Sequence, residues 1–551
     1  MKDFINSKIC FLIILIVVIG SLYGKSINFE LMDLDDKPSI TNSLHYISNI
    51  RNLPKIFFQD TTYKNKSTYY RPVLMSSFSI ETILFGYDTR VYHISNIVMF
   101  IFTMYLIYLF FVKIKLNKNI SKAICLLFAV HPVLASNVVY VSTRAEMLMA
   151  IFMMLSFINF ISYIETNKIK NLILFSLFLL PALLSKETAV MSIFVLAAFV
   201  YAFDYNVSKK QIINTIMFFS AATAVYIVCR FIAIPEPQAS SFATVPIIFL
   251  NAFNSLMIFT EKIFAPGYIA VLLYDVHITP SMIFVNTFIA AVLISVFITK
   301  AVEGKKVLFC VFWFLLFLFP NFCIYEQQIL FHRLLVPLIG IEMFIILLTE
   351  YMLNNFSILK KYLVILYICI LFLFSFSAWF QEEKYRTQND FMVNSYLDDR
   401  NRISSIQFIE YCIQKGDFKK ARELLAERTK NSLTYRDILQ YAALEFSEGN
   451  IDKAEETYLH LEESITYDTI YKNLSKIYLI KKDYDKAFEY LDKFKKMSQN
   501  DTWAVFQEEK IYEEMGNYKK AYEILSSVSG IYGKDKYYAE KLEALRSKAG
   551  L

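Results

Sequence analysis

The feature that most constrains this chain is a series of eleven long apolar runs within residues 1–381. A helix needs about 20 mainly apolar residues to cross the hydrocarbon core of a bilayer. The sequence therefore predicts an all-α, polytopic membrane helical bundle, with the first run retained as a helix because no small-residue cleavage site follows it. The predicted spans are 9–23, 93–112, 123–140, 146–164, 171–184, 188–204, 212–232, 281–300, 307–324, 333–350 and 362–380.

Basic residues are distributed unevenly between the two sets of loops that these spans create. The short loops of one set carry single basic residues, such as Arg144, Lys186 and Arg333. Cytoplasmic loops are enriched in Lys and Arg. The bias predicts a cytoplasmic N-terminus and a C-terminal domain in the periplasm or a lumen. The richness in Lys, Ile, Asn and Tyr, with few Ala and Gly, favours a multi-pass protein of a bacterial inner membrane. The other set carries fifteen lysines: Lys2, Lys8, Lys113, Lys115, Lys118, Lys122, Lys168, Lys170, Lys209, Lys210, Lys300, Lys305, Lys306, Lys360 and Lys361.

The stretch 246–265 is apolar enough to span a membrane but contains Asn251, Asn254, Glu261 and Lys262. Counting it as a span would invert every later loop and place the lysines that follow on the outer side. We therefore expect an interfacial or re-entrant helix here.

Composition changes near Gln381, after which the chain reads as a charged soluble domain. Residues 382–394 are predicted as a linker and 395–551 as a domain of repeats. Four similar segments end in alanines 33, 33 and 34 residues apart, which is the tetratricopeptide period and predicts an α-solenoid. Such solenoids bind peptides or proteins, although a structural cap on the membrane domain is the alternative. The segments are GDFKKA (416–421), GNIDKA (449–454), KDYDKA (482–487) and GNYKKA (516–521).

Charge and cysteine content exclude other classes of function. The net charge of +6 comes without a basic tract or a nucleic-acid motif, so no nucleic-acid partner is expected. Six of the seven cysteines lie in or beside apolar runs, and only Cys412 lies in the soluble part. The cysteines are therefore interpreted as packing residues, not as a disulfide framework.

Polar residues gather at the predicted outer ends of the spans. The first outer loop, 24–92, contains Asp33, Asp35 and Asp36. Ionisable residues within or beside spans are costly and are usually functional, although each of these alone would also fit an interfacial anchor. Together they predict a pocket whose cations hold a lipid-linked phosphate and whose carboxylate accepts a proton from an attacking hydroxyl. The other members are Arg71, His93, Asn96, His131, Arg144, Glu146, Lys186, Glu187, His332 and Arg333.

The order of these motifs (DLDD, YYRP, YHISN, HPV, STRAE, LSKET and FHR, followed by repeats) resembles a known family. It is similar to the membrane O-mannosyltransferases with luminal tetratricopeptide repeats and their bacterial relatives, within the GT-C glycosyltransferases. The resemblance implies an inverting enzyme with a polyprenyl-phosphate-linked sugar as donor and an exported protein or peptide as acceptor. It also implies that Asp35 or Asp36 is the base and that Arg144, Lys186 and Arg333 contact the donor phosphate.

The sequence departs from that family after His131. The family continues with a second His and a Glu, where this chain has Leu134 and Ser136. A change of substrate or a loss of activity stays open, as does a need for a divalent metal. A non-catalytic membrane scaffold for envelope proteins is the main alternative. A flippase for lipid-linked sugars is a second alternative, but it predicts inverted repeats and polar residues at the midplane, neither of which is evident.

Overall fold

The structure, a computed structural model, describes residues 8–61, 69–235, 244–273, 276–324, 328–356, 358–398, 402–430, 433–498, 502–529 and 536–551. These residues form helices and no strand, which confirms the all-α prediction. The N-terminal part contains α1 (Lys8–Tyr23), α2 (Pro72–Phe85), α3 (Thr89–Lys113), α4 (Lys118–Ala129), α5 (Ala135–Val139), α6 (Arg144–Thr166), α7 (Ile169–Ser185), α8 (Ser192–Ala202), α9 (Lys209–Ala233), α10 (Val245–Phe264), α11 (Pro280–Thr299), α12 (Gly304–Phe322), α13 (Leu335–Asn355) and α14 (Leu359–Glu383).

Among the described residues, nine helices are long and apolar enough to cross a membrane, as in a multi-pass membrane protein. The helix pair Lys118–Ala129 and Pro132–Val139 would be a tenth span, bent by 59°. The predicted spans 171–184 and 188–204 correspond to the shorter apolar helices Ile169–Ser185 and Glu187–Ala202. Each of the eleven predicted spans thus falls on a helix or on the bent helix pair. How many of these helices cross the membrane stays a prediction.

The loops gather at two ends of the helical bundle. At one end, Lys113 pairs with Glu165 and Lys305 pairs with Asp204, each at 2.6 Å. At the other end, Lys25 after α1 lies 2.6 Å from Glu383 at the end of α14. We call this second end the site end because the first loop, residues 29–61, lies there. The loops that carry Lys113 and Lys305 lie at the opposite end, whereas Lys2 falls outside the described residues.

Helix α10, which covers the ambiguous stretch 246–265, lies across the site end. Asn251 donates hydrogen bonds to the carbonyls of Phe322 (3.0 Å) and Ile324 (2.8 Å), which follow α12 at that end. Near the other terminus of α10, the carbonyl of Ile263 bonds to His131, 2.9 Å away. Both termini of α10 therefore contact the site end. This geometry agrees with an interfacial helix, although α10 is long and apolar enough to span.

Helices α12 and α13 cross closely and so fix the two sides of a pocket at the site end. A Cβ atom at Gly340 would lie 2.5 Å from the carbonyl oxygen of Cys310, so only glycine allows this approach. The indole of Trp313 donates to the carbonyl of Val336 over 2.8 Å, which satisfies a buried donor. These contacts set the end of α12 beside the start of α13.

The C-terminal part begins with a helix that packs on the bundle. Phe391 in α15 (Gln388–Asp398) is buried with its ring 5.8 Å from that of Tyr140. The predicted linker 382–394 therefore holds the end of α14 and part of a packed helix. The remaining helices are α16 (Arg402–Gln414), α17 (Phe418–Arg428), α18 (Tyr435–Ser447), α19 (Ile451–Ser464), α20 (Asp468–Ile480), α21 (Tyr484–Met497), α22 (Thr502–Glu514), α23 (Tyr518–Ser526) and α24 (Lys536–Lys548).

Helices α16–α23 form four successive hairpins, and each turn is followed by one of the predicted alanines. The alanines Ala421, Ala454, Ala487 and Ala521 are fully buried. In the second-last hairpin, Ser475 of α20 donates to the carbonyl of Ala487 over 2.9 Å, which requires a small side chain in α21. The turns themselves use a left-handed residue: Gly416, Gly449, Lys482 and Gly516 have φ of 76°, 89°, 60° and 77°.

Lys482 is the one non-glycine at this turn position, and Lys482→Gly is expected to raise the unfolding free energy by about 0.5–1 kcal/mol. An L-residue pays roughly 1–2 kcal/mol to adopt the left-handed conformation, and the greater entropy of an unfolded glycine offsets part of the gain. Thermal unfolding of the full chain in detergent measures the change. Glu456→Gly, at an exposed position inside α19, is the control and should destabilise by about 1 kcal/mol. If Lys482→Gly destabilised the protein as much as Glu456→Gly does, the left-handed conformation of Lys482 would carry no cost.

Candidate functional site

The predicted acidic pair is split by the fold into one buried and one exposed carboxylate. Asp36 is 0% exposed. Its Oδ1 accepts hydrogen bonds from the Ser142 amide (2.7 Å) and the Ser142 hydroxyl (2.5 Å), and its Oδ2 accepts one from the Met32 amide (3.0 Å). Asp36 is therefore enclosed by protein, and it ties the first loop to the start of α6.

Asp35 is exposed and accepts one hydrogen bond, from the Tyr140 hydroxyl at 2.7 Å. Burial raises the pKa of Asp36 to about 7, against the effect of its three donors. A pKa near the operating pH suits a general base, but a base must also reach the proton that it removes. Because both oxygens of Asp36 are enclosed, Asp35 is the carboxylate that a substrate can reach.

A small pocket lies at the site end, between α6, α12 and α13. Lys186 and Arg333 supply cations to its wall, and Glu146 forms an ion pair with Lys186. Arg333 donates to Asn321 over 3.0 Å, which orients its guanidinium. The remaining lining is Met149, Thr188, Phe317, Val336 and Pro337.

A third cation and a second carboxylate, Arg71 and Glu187, act electrostatically on the cations that line the pocket. Arg71 lies 3.5 Å from Glu187 and 4.6 Å from the centroid of the Tyr69 ring. Its charge acts on both Lys186 and Arg333. Three cations thus face two carboxylates, Glu146 and Glu187, which leaves an excess of one positive charge. Such an excess favours an anion in the pocket.

Helix α5 connects the pocket to the exposed carboxylate. The side chain of Asn137 donates to the carbonyl of His332 over 3.0 Å, next to Arg333. Tyr140, directly after α5, donates to Asp35. One short helical segment therefore contacts the pocket wall at one end and the candidate base at the other. His332 itself is partly buried between these groups.

Arg144 does not line the pocket, which corrects its predicted role as a phosphate ligand. It is 0% exposed and donates to Asn96 (2.7 Å), Ser77 (3.0 Å), Glu81 (2.8 Å) and the carbonyl of Tyr92 (2.9 Å). A guanidinium has five N–H donors, and protein atoms occupy four of its bonding positions. Arg144 and Asn96 therefore join α2, α3 and α6.

Two of the three predicted histidines, His131 and His93, are also enclosed. Nε2 of His131 lies 2.9 Å from the carbonyl of Ile263, and Nδ1 accepts from the Val133 amide at 3.2 Å. This arrangement fixes the neutral form of the ring and holds α10 against the loop after α4. His93 is 0% exposed, with its ring centroid 6.5 Å from that of Phe29. Both assignments to direct substrate contact are therefore corrected to packing roles.

Sequence reasoning did not select Glu81, Tyr140, Ser142 or Asn321. Glu81 carried a usable signal, because it is a lone carboxylate in the apolar helix α2. The other three are neutral residues whose roles depend on contacts made across the fold. Leu134 and Ser136, at the positions where the resembling family has His and Glu, are both buried, Leu134 directly before α5 and Ser136 within it.

Among the described residues, no three His, Cys, Asp or Glu side chains are grouped closely enough to hold a metal ion. Comparison of the chain with protein-family models and with curated proteins finds no match. The family resemblance consequently stays an expectation from the motifs.

Proposed function

We propose that this protein is a membrane glycosyltransferase of the GT-C type. It transfers a sugar from a polyprenyl-phosphate-linked donor to an exported acceptor, with protein hydroxyl groups as the best candidates. The observation that supports this most is the joining of an exposed carboxylate, Asp35, to a cationic pocket through α5. A scaffold has no need for that combination.

The proposed chemistry is a single displacement. The acceptor hydroxyl oxygen attacks the anomeric carbon of the sugar while Asp35 takes the hydroxyl proton. The bond from the anomeric carbon to the phosphate oxygen breaks, and the polyprenyl phosphate leaves with the electron pair. Lys186 and Arg333 stabilise the leaving phosphate by charge-assisted hydrogen bonds. Attack opposite to the leaving group inverts the anomeric centre.

The pocket as it stands is closed by its own ion pairs. Lys186 contacts Glu146, and Arg71 contacts Glu187. A phosphate would replace these carboxylates as the partner of the cations. A lipid without a phosphate would form no such ion pair. This exchange makes the pocket selective for an anionic lipid headgroup.

We also propose that the four hairpins form a tetratricopeptide-repeat solenoid on the periplasmic or luminal side. The 33- and 34-residue spacing of the buried alanines and the shared left-handed turns support the repeat. The segregation of lysines to the end opposite the site supports the orientation. Such repeats would gather acceptors next to Asp35.

Donor titration tests the role of the pocket. Lys186→Met and Arg333→Met should each raise the donor concentration needed for half-maximal transfer by about ten- to a hundredfold, because a charge-assisted hydrogen bond contributes roughly 1.5–3 kcal/mol. The assay uses the full chain in liposomes with a panel of polyprenyl-phosphate hexoses. Lys305→Met, at the opposite end of the bundle, is the control and should change nothing. Unchanged donor dependence with an altered acceptor dependence would place these cations in the acceptor site.

A further inference from the structure

The C-terminal part of the chain contacts the first loop on both sides of Asp35. On the side before Asp35, the side-chain oxygen of Gln388 in α15 accepts a hydrogen bond from the amide of Asp33 over 2.9 Å. The amide of Gln388 donates to the carboxylate of Glu30, also over 2.9 Å. One buried residue of α15 therefore holds two positions of the loop.

The side after Asp35 is held by the first residue of α22. The amide of Thr502 donates to the carbonyl of Asn42 over 3.1 Å, and its hydroxyl donates to the carbonyl of Thr41 over 3.4 Å. These two carbonyls lie at the end of the helical turn Lys37–Thr41. The last carbonyls of a helical turn have no partner inside it, so Thr502, which is buried, satisfies them.

Asp35 lies between these two attachments and is joined to both. Its carbonyl accepts the amide of Ser39 over 3.2 Å, within the turn that Thr502 contacts. Its carboxylate accepts the hydroxyl of Tyr140, whose ring packs on that of Phe391 in α15. The backbone and the side chain of Asp35 are thus each one contact away from the C-terminal part.

Helix α15 is in turn joined to the first hairpin of the repeats. The ring of Tyr396 in α15 stacks on that of Phe408 in α16, with centroids 4.6 Å apart. The hydroxyl of Tyr411, also in α16, donates to the side chain of Asn389. The two attachments of the first loop therefore come from the two ends of one packed domain, at α15 and at α22.

We propose that the repeat domain positions the base. In this proposal Gln388 and Thr502, which we call the clamp, hold the first loop and so set where Asp35 meets the acceptor hydroxyl. The role of Asp35 rests on the proposed function, whereas the clamp itself is a property of the fold. Loops are more mobile than the elements that they connect, and a misplaced catalytic group slows a reaction steeply. Positioning is separate from gathering acceptors, because it acts on every acceptor whatever its size.

Hydrogen–deuterium exchange of the full chain in detergent tests the clamp without an assay of activity. Gln388→Met keeps the length of the side chain but removes the acceptor of the Asp33 amide. Thr502→Pro removes the amide donor to Asn42, and proline is favoured at the first position of a helix, so α22 should remain. Each change should speed amide exchange in residues 29–47 by about two- to tenfold, as the loss of one hydrogen bond implies.

Two matched controls lie in the C-terminal part. Tyr435→Pro is also at the first residue of a helix, α18, and the extended backbone of Thr434 before it suits a following proline. Asn394→Leu removes a hydrogen bond inside α15, to the carbonyl of Asp390. Both controls should leave the exchange of residues 29–47 unchanged. Unchanged exchange in the clamp variants, or equal acceleration by the controls, would overturn the proposal.

Transfer kinetics separate positioning from gathering. At saturating donor, both clamp variants should lower kcat by about tenfold, and equally for a short peptide and a full-length exported protein. The donor concentration for half-maximal transfer should not change, because Lys186 and Arg333 are untouched. A loss confined to the full-length acceptor would overturn the positioning role. Faster exchange in both clamp variants, with no transfer even by the unchanged chain, would contradict the proposed function and leave the clamp on the loop intact.

Discussion

Asp35→Asn is expected to lower the rate of sugar transfer by about 10²–10⁴-fold, the usual effect of removing a general base. The substitution keeps the size of the side chain, and its amide oxygen can still accept the Tyr140 hydroxyl bond. Because Asp35 is exposed, folding should be unaffected. Transfer by the purified full chain, together with its thermal unfolding, measures both quantities.

Asp36→Asn is the matched control and should act on stability instead. Asp36 accepts three hydrogen bonds, and both of its oxygens take part. In the Asn variant an NH₂ group replaces one oxygen, so two donors would face each other and at least one hydrogen bond would be lost. A buried donor left unsatisfied costs about 1–3 kcal/mol. A lowered transfer rate with normal stability in Asp36→Asn, and normal transfer in Asp35→Asn, would show that Asp36 is the base.

Arg144→Ala should lower the unfolding free energy by about 3–5 kcal/mol, as expected when one partner of a buried ion pair is removed. The change leaves Glu81 buried without its cation and removes the donors to Asn96 and to the carbonyl of Tyr92. Thermal unfolding in detergent, or the yield of folded protein, measures the loss.

Arg333→Ala is the comparison for Arg144→Ala, because Arg333 lines the pocket and donates to two neutral acceptors, the side chain of Asn321 over 3.0 Å and the carbonyl of Gln328 over 3.3 Å. It should cost less stability than Arg144→Ala and more donor affinity. The reverse ranking of the two arginines would restore Arg144 as the phosphate ligand and contradict the structural assignment.

The sequence was sufficient to predict the helices because both signals are local. Long apolar runs specify spans, and the alanines 33 or 34 residues apart specify hairpins. The expectation that α10 is interfacial came from local polarity at Asn251 and Glu261 and from the lysines of the later loops, and it stays a prediction. What could not be predicted was that α15 packs on Tyr140, because the contact joins residues about 250 positions apart.

The roles of the site residues could be predicted only in part. The members of the pocket, such as Lys186 and Arg333, were selected because charged residues beside spans are rare. Arg144 met the same criterion, yet its N–H groups donate to Glu81 and Asn96 and so do not face the pocket. Sequence position cannot separate a cation that faces a pocket from one that is buried in a network, and it likewise gave no reason to distinguish Asp35 from Asp36.

Mass spectrometry of exported proteins tests the central claim, that this chain is a glycosyltransferase with Asp35 as its base, most directly. Cells lacking the protein receive either the unchanged chain or Asp35→Asn, with equal amounts of each confirmed in the membrane. The account predicts sugar-sized mass additions on Ser or Thr of exported proteins with the unchanged chain, and their loss with Asp35→Asn. Identical modification in the two strains, or none in either, would contradict it.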